Sequence, residues 1–343
     1  MSDERYNKLK NEASQLLGEQ LQKFCIDNPE FNQGAESYLG KKTSLNRVQF
    51  YTGFQAGKST GKLLEQYWKV PVLMENVMLK AYCANKILDG KKGMFANSIQ
   101  TGNSVRETVG SSLTKEWYID SLLNKLSLDL LDELPSDELR FVQRAYFTIG
   151  ERISQGLRTE RETLSVKTNS LDDVLVNFNE NNVSRCVDYD LVYDYSTLVG
   201  YGLASGNYDI INQYEGEIPK ENRFSYHIQA FNDLGDFCRG DDQFSDIKNG
   251  IVTRPGYLLR DSSTYREALY DPRFLMFGRV QERLLNELKE KSVAQKMREE
   301  SRESREKIIQ FWQKRDVNDE LLFDTYSMMK NNKYFNELTD QKE

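Results

Sequence analysis

The segment from Phe224 to Phe237 carries Gln229, Asn232, Asp233 and Asp236, and the stretch Ser245-Asp246-Ile-Lys-Asn-Gly250-Ile-Val-Thr253-Arg-Pro255 adds a further acid, Asp246. Side chains three or four residues apart project from one face of a helix. Asn232 and Asp236 therefore share a face, with Asp233 on its flank, and Asp246 follows in a loop punctuated by Gly and Pro. Such a group suits a hard cation such as Mg²⁺, which takes one or two carboxylates and completes its octahedron with water and substrate phosphate.

The elements that must position these residues read as helices. Leu9, Ala13, Leu16, Leu17 and Leu21 recur at three- and four-residue steps, and Leu139, Val142, Tyr146, Ile149 and Ile153 form a second stripe. The pattern predicts helices over about 1–25, over 47–88 with a break at Pro71, and from Ser136 onward. Further helices are expected over 161–180, 185–204 and 222–238. The Glu/Lys/Arg alternation over 280–315 reads as a solvated helix face in a polar C-terminal segment of about 280–343. The 343-residue chain shows no repeat, no low-complexity tract and no linker, so one all-α domain is expected, with a core over about 40–280.

Composition narrows the function. A net charge of −7 argues against a nucleic-acid partner, which needs a basic face. Four dispersed cysteines without a CxxC pair argue against structural zinc or a disulfide framework and favour a reducing, cytoplasmic setting. The first ten residues have no apolar run, so no signal peptide is expected, and no segment reads as a membrane span. His227 is the only histidine, which weakens Ser-His-Asp and multi-histidine metal schemes; it reads as packed at a helix start.

In wording and spacing, Gln229-Ala-Phe-Asn232-Asp233-Leu-Gly-Asp236 with the Asp246–Pro255 loop resembles the second aspartate-rich motif of the trans-isoprenyl diphosphate synthases. Companion elements follow in order. Gly40-Lys41-Lys42 with Arg47 stands where the family holds the diphosphate of the homoallylic substrate. Asn85-Lys86-Ile-Leu-Asp89 before Lys91-Lys92-Gly93 stands at the first aspartate-rich motif, Gly110-Ser111 at a Gly-Asp pair, and Lys167-Thr168 at a Lys-Thr element. The departures are Asn85, Lys86 and Asn232 in place of aspartates, and Ile251 in place of a loop lysine near Lys248. Asp241-Asp242 spell an acidic pair, but register favours Asp233 and Asp236.

The resemblance implies an isoprenoid synthase-type helical bundle around a central apolar cavity. It implies Mg²⁺ held by Asp89, Asn232, Asp233, Asp236 and Asp246. Diphosphate would be held by Lys41, Lys42, Arg47, Lys86, Lys91, Lys92, Lys167, Thr168 and Lys248, and the catalytic set would be Lys167, Gln229 and Asp233. The substrates implied are an allylic prenyl diphosphate and isopentenyl diphosphate, in a homodimer or a heterodimer with an intact synthase. Val77, Met78, Ala81 and Tyr82 would set product length, the bulk of Met78 and Tyr82 favouring a short product. Two alternatives share the fold. One is a class I terpene synthase, whose Asn-Asp motif begins at Asn232-Asp233 but meets Asp236 and Gly240 where Ser/Thr and Glu belong. The other is a non-catalytic subunit of a heteromeric synthase, for which Lys86 speaks.

Overall fold

A computed structural model describes residues 2–39, 45–57, 61–88, 118–119, 121–130, 132–238 and 243–317. Among these the structure is helical, apart from turns and one isolated antiparallel bridge between Ser165 and Ile251. The helices are α1 (Ser2–Asp27), α2 (Asn32–Leu39), α3 (Leu45–Ala56), α4 (Lys69–Leu88), α5 (Ser136–Thr163), α6 (Leu171–Val176) and α7 (Phe178–Ser205). They continue as α8 (Ile210–Glu217), α9 (Phe224–Cys238), α10 (Ser245–Asn249), α11 (Arg254–Leu258), α12 (Ser263–Tyr270), α13 (Gly278–Glu290) and α14 (Val293–Gln313); residues 121–130 are helical as well. Among the described residues no helix is long and apolar enough to cross a membrane.

The packing divides into two compact units, one drawn from residues 3–150 and 195–211 and the other from 151–194 and 212 onward. In the first unit, Leu17 and Leu21 of α1 bury against Tyr38, Trp68, Val72, Leu122 and Leu126. This is the apolar stripe read from the sequence. Gly53 of α3 and Gly200 of α7 let two backbones meet, since a Cβ on either would strike a carbonyl of the other helix (Thr197 O or Phe50 O). Pro71 sits in the first turn of α4, where its missing N–H costs nothing.

The second unit buries Phe178, Leu234, Phe237, Val252, Leu284, Leu288 and Met297 in one core. Two expectations change here. The helix expected over 161–180 is broken, because the backbone of 164–166 pairs elsewhere. Val166 N–H donates to Gly250 O at 2.8 Å and Val252 N–H to Leu164 O at 2.9 Å, and a new helix then starts with Ser170 capping Asp173 N–H at 3.1 Å. The segment 280–315 is also more than a solvated face. It bends at Ser292 (φ 51°), and α13 and α14 bury Leu284, Leu288, Val293, Ala294, Met297, Phe311 and Trp312.

Candidate functional site

The second acidic motif lies wholly in the second unit, on α9 and α10. α9 turns Asp233 inward, leaves Asn232 exposed and holds Asp236 half-buried. Asp236 Oδ2 accepts from Ser245 Oγ at 3.4 Å, which ties the end of α9 to the start of α10. One turn before Asp233, Gln229 donates from Nε2 to Asp233 Oδ1 at 2.8 Å. The bond spans four residues of α9, one helical turn.

The other oxygen of Asp233 is taken by a residue the motif reading does not contain. Arg185 of α7 donates from Nη2 to Asp233 Oδ2 and from Nη1 to Glu160 Oε2, the latter at 2.9 Å. The Arg185 and Asp233 side chains are each 1% exposed. The guanidinium also lies 5.8 Å from the centroid of the Tyr189 ring. A buried charge is tolerable only when paired and hydrogen-bonded, and here one cation joins two acids brought from different helices.

Two further acids approach this centre. Asp246 Oδ2 is enclosed without a hydrogen-bond partner, and so is Asp190 Oδ2 on α7. Burial pushes the Asp246 carboxyl well above the ordinary range, and the carboxylates of Asp233 and Asp236 push it further while Arg185 opposes them. Burial, then Asp233, does the same to Asp190.

The Ser165–Ile251 bridge brings the Lys167 segment to the loop after α10. Gly250 adopts φ 72°, and a Cβ there would lie 3.2 Å from Lys167 Cγ, so the lysine stem runs directly over the glycine. The Lys167 side chain is exposed. Thr168 turns its hydroxyl back to the carbonyls of Arg161 and Ser165, both at 3.1 Å, and so shapes the turn. Lys248, also exposed, donates to Gln243 O at 2.7 Å.

The remaining expected residues belong to the first unit or lie outside the described residues. Arg47 is buried at 3% exposure and gives both sides of its fork to Glu75, Nε to Oε2 at 2.8 Å and Nη2 to Oε1 at 3.2 Å, with Tyr38 also donating to Oε2. Its guanidinium is thus a core group. Lys86 lies on α4. Lys41, Lys42, Asp89, Lys91, Lys92, Gly110, Ser111, Asp241 and Asp242 lie outside the described residues.

Whether these acids fit a divalent metal is decided by how they are bonded. Asp233 has both oxygens engaged, Asn232 brings no charge, and Asp236 Oδ2 is held by Ser245. Among the described residues no three His, Cys, Asp or Glu side chains are arranged to hold a metal ion. A divalent cation about 4 Å from a guanidinium is repelled by about 8 kcal/mol at an effective dielectric of roughly 20, twice the figure for unit charges. As bonded, the set does not fit Mg²⁺ at Asp233.

Arg185, Glu160 and Asp190 were missed because they fall outside the motif. A signal was present. The run 186–204 is apolar nearly all round, so Asp188, Asp190 and Asp194 within it, and Arg185 at its edge, must find partners. Asp188 pairs with Arg152 at 3.2 Å, and Asp194 accepts from Tyr214 at 2.9 Å and from Ser225 N–H at 3.2 Å.

The sequence matches no protein-family model and no curated protein. Solved structures do match. A geranylgeranyl pyrophosphate synthase from Corynebacterium glutamicum, complexed with isoprenyl diphosphate and magnesium, aligns with TM-score 0.64 and 12% identity over 99% of each chain. The Pyrococcus horikoshii geranylgeranyl pyrophosphate synthetase aligns with TM-score 0.61 and 15% identity over 96% of this chain and 97% of that one. A Caulobacter crescentus polyprenyl synthase, complexed with calcium and isoprenyl diphosphate, aligns with TM-score 0.58 and 11% identity over 95% and 98%. The chain therefore has the all-helical fold of the prenyl synthases.

Proposed function

We propose that this chain is an isoprenyl-transferase-type protein that holds the diphosphate of an allylic prenyl chain and directs its transfer to isopentenyl diphosphate or another acceptor. The observation that carries this reading is Lys167 lying over Gly250, on the loop that follows the acids of α9 and α10. It supplies a solvent-facing ammonium beside the motif, a point charge suited to phosphate oxygens. In the reaction the allylic C–O bond breaks and the diphosphate leaves with the electron pair. The double bond of the acceptor then attacks the allylic carbon, and a proton is lost. Lys167 offsets charge gathering on the leaving group, Gln229 fixes Asp233, and Arg185 holds Asp233 and Glu160 neutralised inside the unit.

A second reading, the non-catalytic subunit of a heteromeric synthase, is favoured by the pairing of Asp233 with Arg185, since a partner subunit has no need of a free metal-binding acid. Release of diphosphate from dimethylallyl, geranyl and farnesyl diphosphates, with and without isopentenyl diphosphate and with Mg²⁺ supplied, separates the two. Lys167→Gln is the control, because its side chain is exposed and no buried pair is broken. Release that requires isopentenyl diphosphate and is lost in Lys167→Gln supports the transferase. Release without it moves the assignment to a terpene synthase. No release, with a stable complex formed on adding an intact synthase, establishes the subunit.

A further inference from the structure

We infer that Arg185 is a built-in cation standing where a divalent metal would otherwise neutralise the second acidic motif, so that the substrate-free protein takes no metal ion at Asp233 and Asp246. The inference rests on the reading above in treating these acids as the diphosphate end of the site, and it names what carries the positive charge there.

Three observations converge. First, the guanidinium is fully enclosed and bonded to two acids from separate elements, Glu160 at the end of α5 and Asp233 on α9. Such a fork is rigid, permanently charged and matched to carboxylate geometry, so it cannot be titrated away and a hydrated ion does not displace it at little cost. Second, Gln229 bonds the other oxygen of Asp233, so both oxygens of the carboxylate already accept a hydrogen bond. Third, enclosed oxygens of Asp246 and Asp190 have no partner, and both acids feel the charges of Asp233 and Arg185. Removing the guanidinium would take away the cation that Glu160, Asp190, Asp233 and Asp246 all feel, leaving Arg161 Nε, 3.7 Å from Glu160 Oε1, at the edge of the acids. Hard divalent cations take oxygen-rich, acid-rich surroundings of that kind. The arginine is therefore what keeps metal out.

The test is equilibrium binding of Mn²⁺, followed by electron paramagnetic resonance of the free ion, with no diphosphate present. Four full-length proteins are compared: wild type, Asp246→Asn, Arg185→Gln, and the double variant. Gln at 185 retains an amide donor for Asp233 but carries no charge. Wild type and Asp246→Asn are expected to bind the same number of ions. Arg185→Gln is expected to gain one bound Mn²⁺ per chain, and the double variant to lose it again. Loss of a bound ion on Asp246→Asn alone overturns the inference, and so does a folded Arg185→Gln protein with no gain. Should Arg185→Gln fail to fold, the comparison of wild type with Asp246→Asn decides the matter by itself. The readout needs no turnover, so an inactive wild type with the expected Mn²⁺ pattern sinks the transferase reading and leaves this one standing. An active protein that loses an ion on Asp246→Asn does the reverse.

Discussion

Arg47 donates twice to Glu75, and both side chains are almost wholly enclosed, at 3% and 4% exposure. A lone basic residue near Lys41-Lys42 reads from sequence as a phosphate contact, yet here it closes a pair inside the first unit. Replacing one member of a buried pair strands the other charge and costs about 3–5 kcal/mol. Glu75→Leu is expected to lower stability by that much in a urea titration. Arg47→Met/Glu75→Leu is expected to recover most of the loss, because no charge is then left unpaired.

The acids of the second motif are expected to separate in the same way. Asp233→Ala leaves Arg185 with one of its two bonded acids, Glu160, and should cost about 1.5–3 kcal/mol. Asp236→Ala removes a half-buried acid with a long bond to Ser245 and should cost about 1 kcal/mol or less. Thermal melts of the two variants check this. Equal losses would mean that Arg185 is not the partner that makes Asp233 structural.

How much of this was legible in the sequence follows from where each signal lives. Local periodicity was enough to find α1, α5 and α9, because a stripe of buried residues repeats within the helix itself. The Gln229–Asp233 bond was equally local. The break at 164–170 was not, because it depends on backbone bonds to residues some 85 positions away, Gly250 and Val252. The charge-rich stretch 280–315 misled for a related reason. Long charged side chains surround a narrow apolar seam, Leu284, Leu288, Ala294 and Met297, that only its core partners reveal. Arg185 escaped because the motif counts acids, while the fold must also balance their charge.

Gly250 links stability to the site. Its φ of 72° is a conformation that costs an L-residue roughly 1–2 kcal/mol, and a side chain there would press on Lys167. Gly250→Ala is expected to destabilise by about that amount and to weaken the binding of inorganic pyrophosphate, read by calorimetry, as Lys167 is displaced. Destabilisation without any change in pyrophosphate affinity would remove Lys167 from the diphosphate contacts.

His227 predicts a pH dependence of known sign. It is 4% exposed, and burial lowers its pKa to about 3 although its ring hydrogen-bonds the backbone of Glu221. Nε2 has no partner, so that bond is made through Nδ1–H. The unfolded chain binds a proton near pH 6.5 that the folded chain refuses until about pH 3. Between these values the unfolded state holds more protons, so stability rises with pH and is lost as pH falls, by about 1.4 kcal/mol per unit at most. The raised carboxyls of Asp190 and Asp246 act in the opposite sense, holding protons in the folded state that the unfolded chain releases. The His227 contribution is therefore isolated by difference. His227→Asn keeps an amide N–H where Nδ1 donates, and His227 is the only histidine in the chain. Urea midpoints measured from pH 4 to pH 7 should fall less steeply toward acid in His227→Asn than in wild type. Parallel curves would mean that the imidazole is protonated in the folded protein and that its burial carries no such penalty.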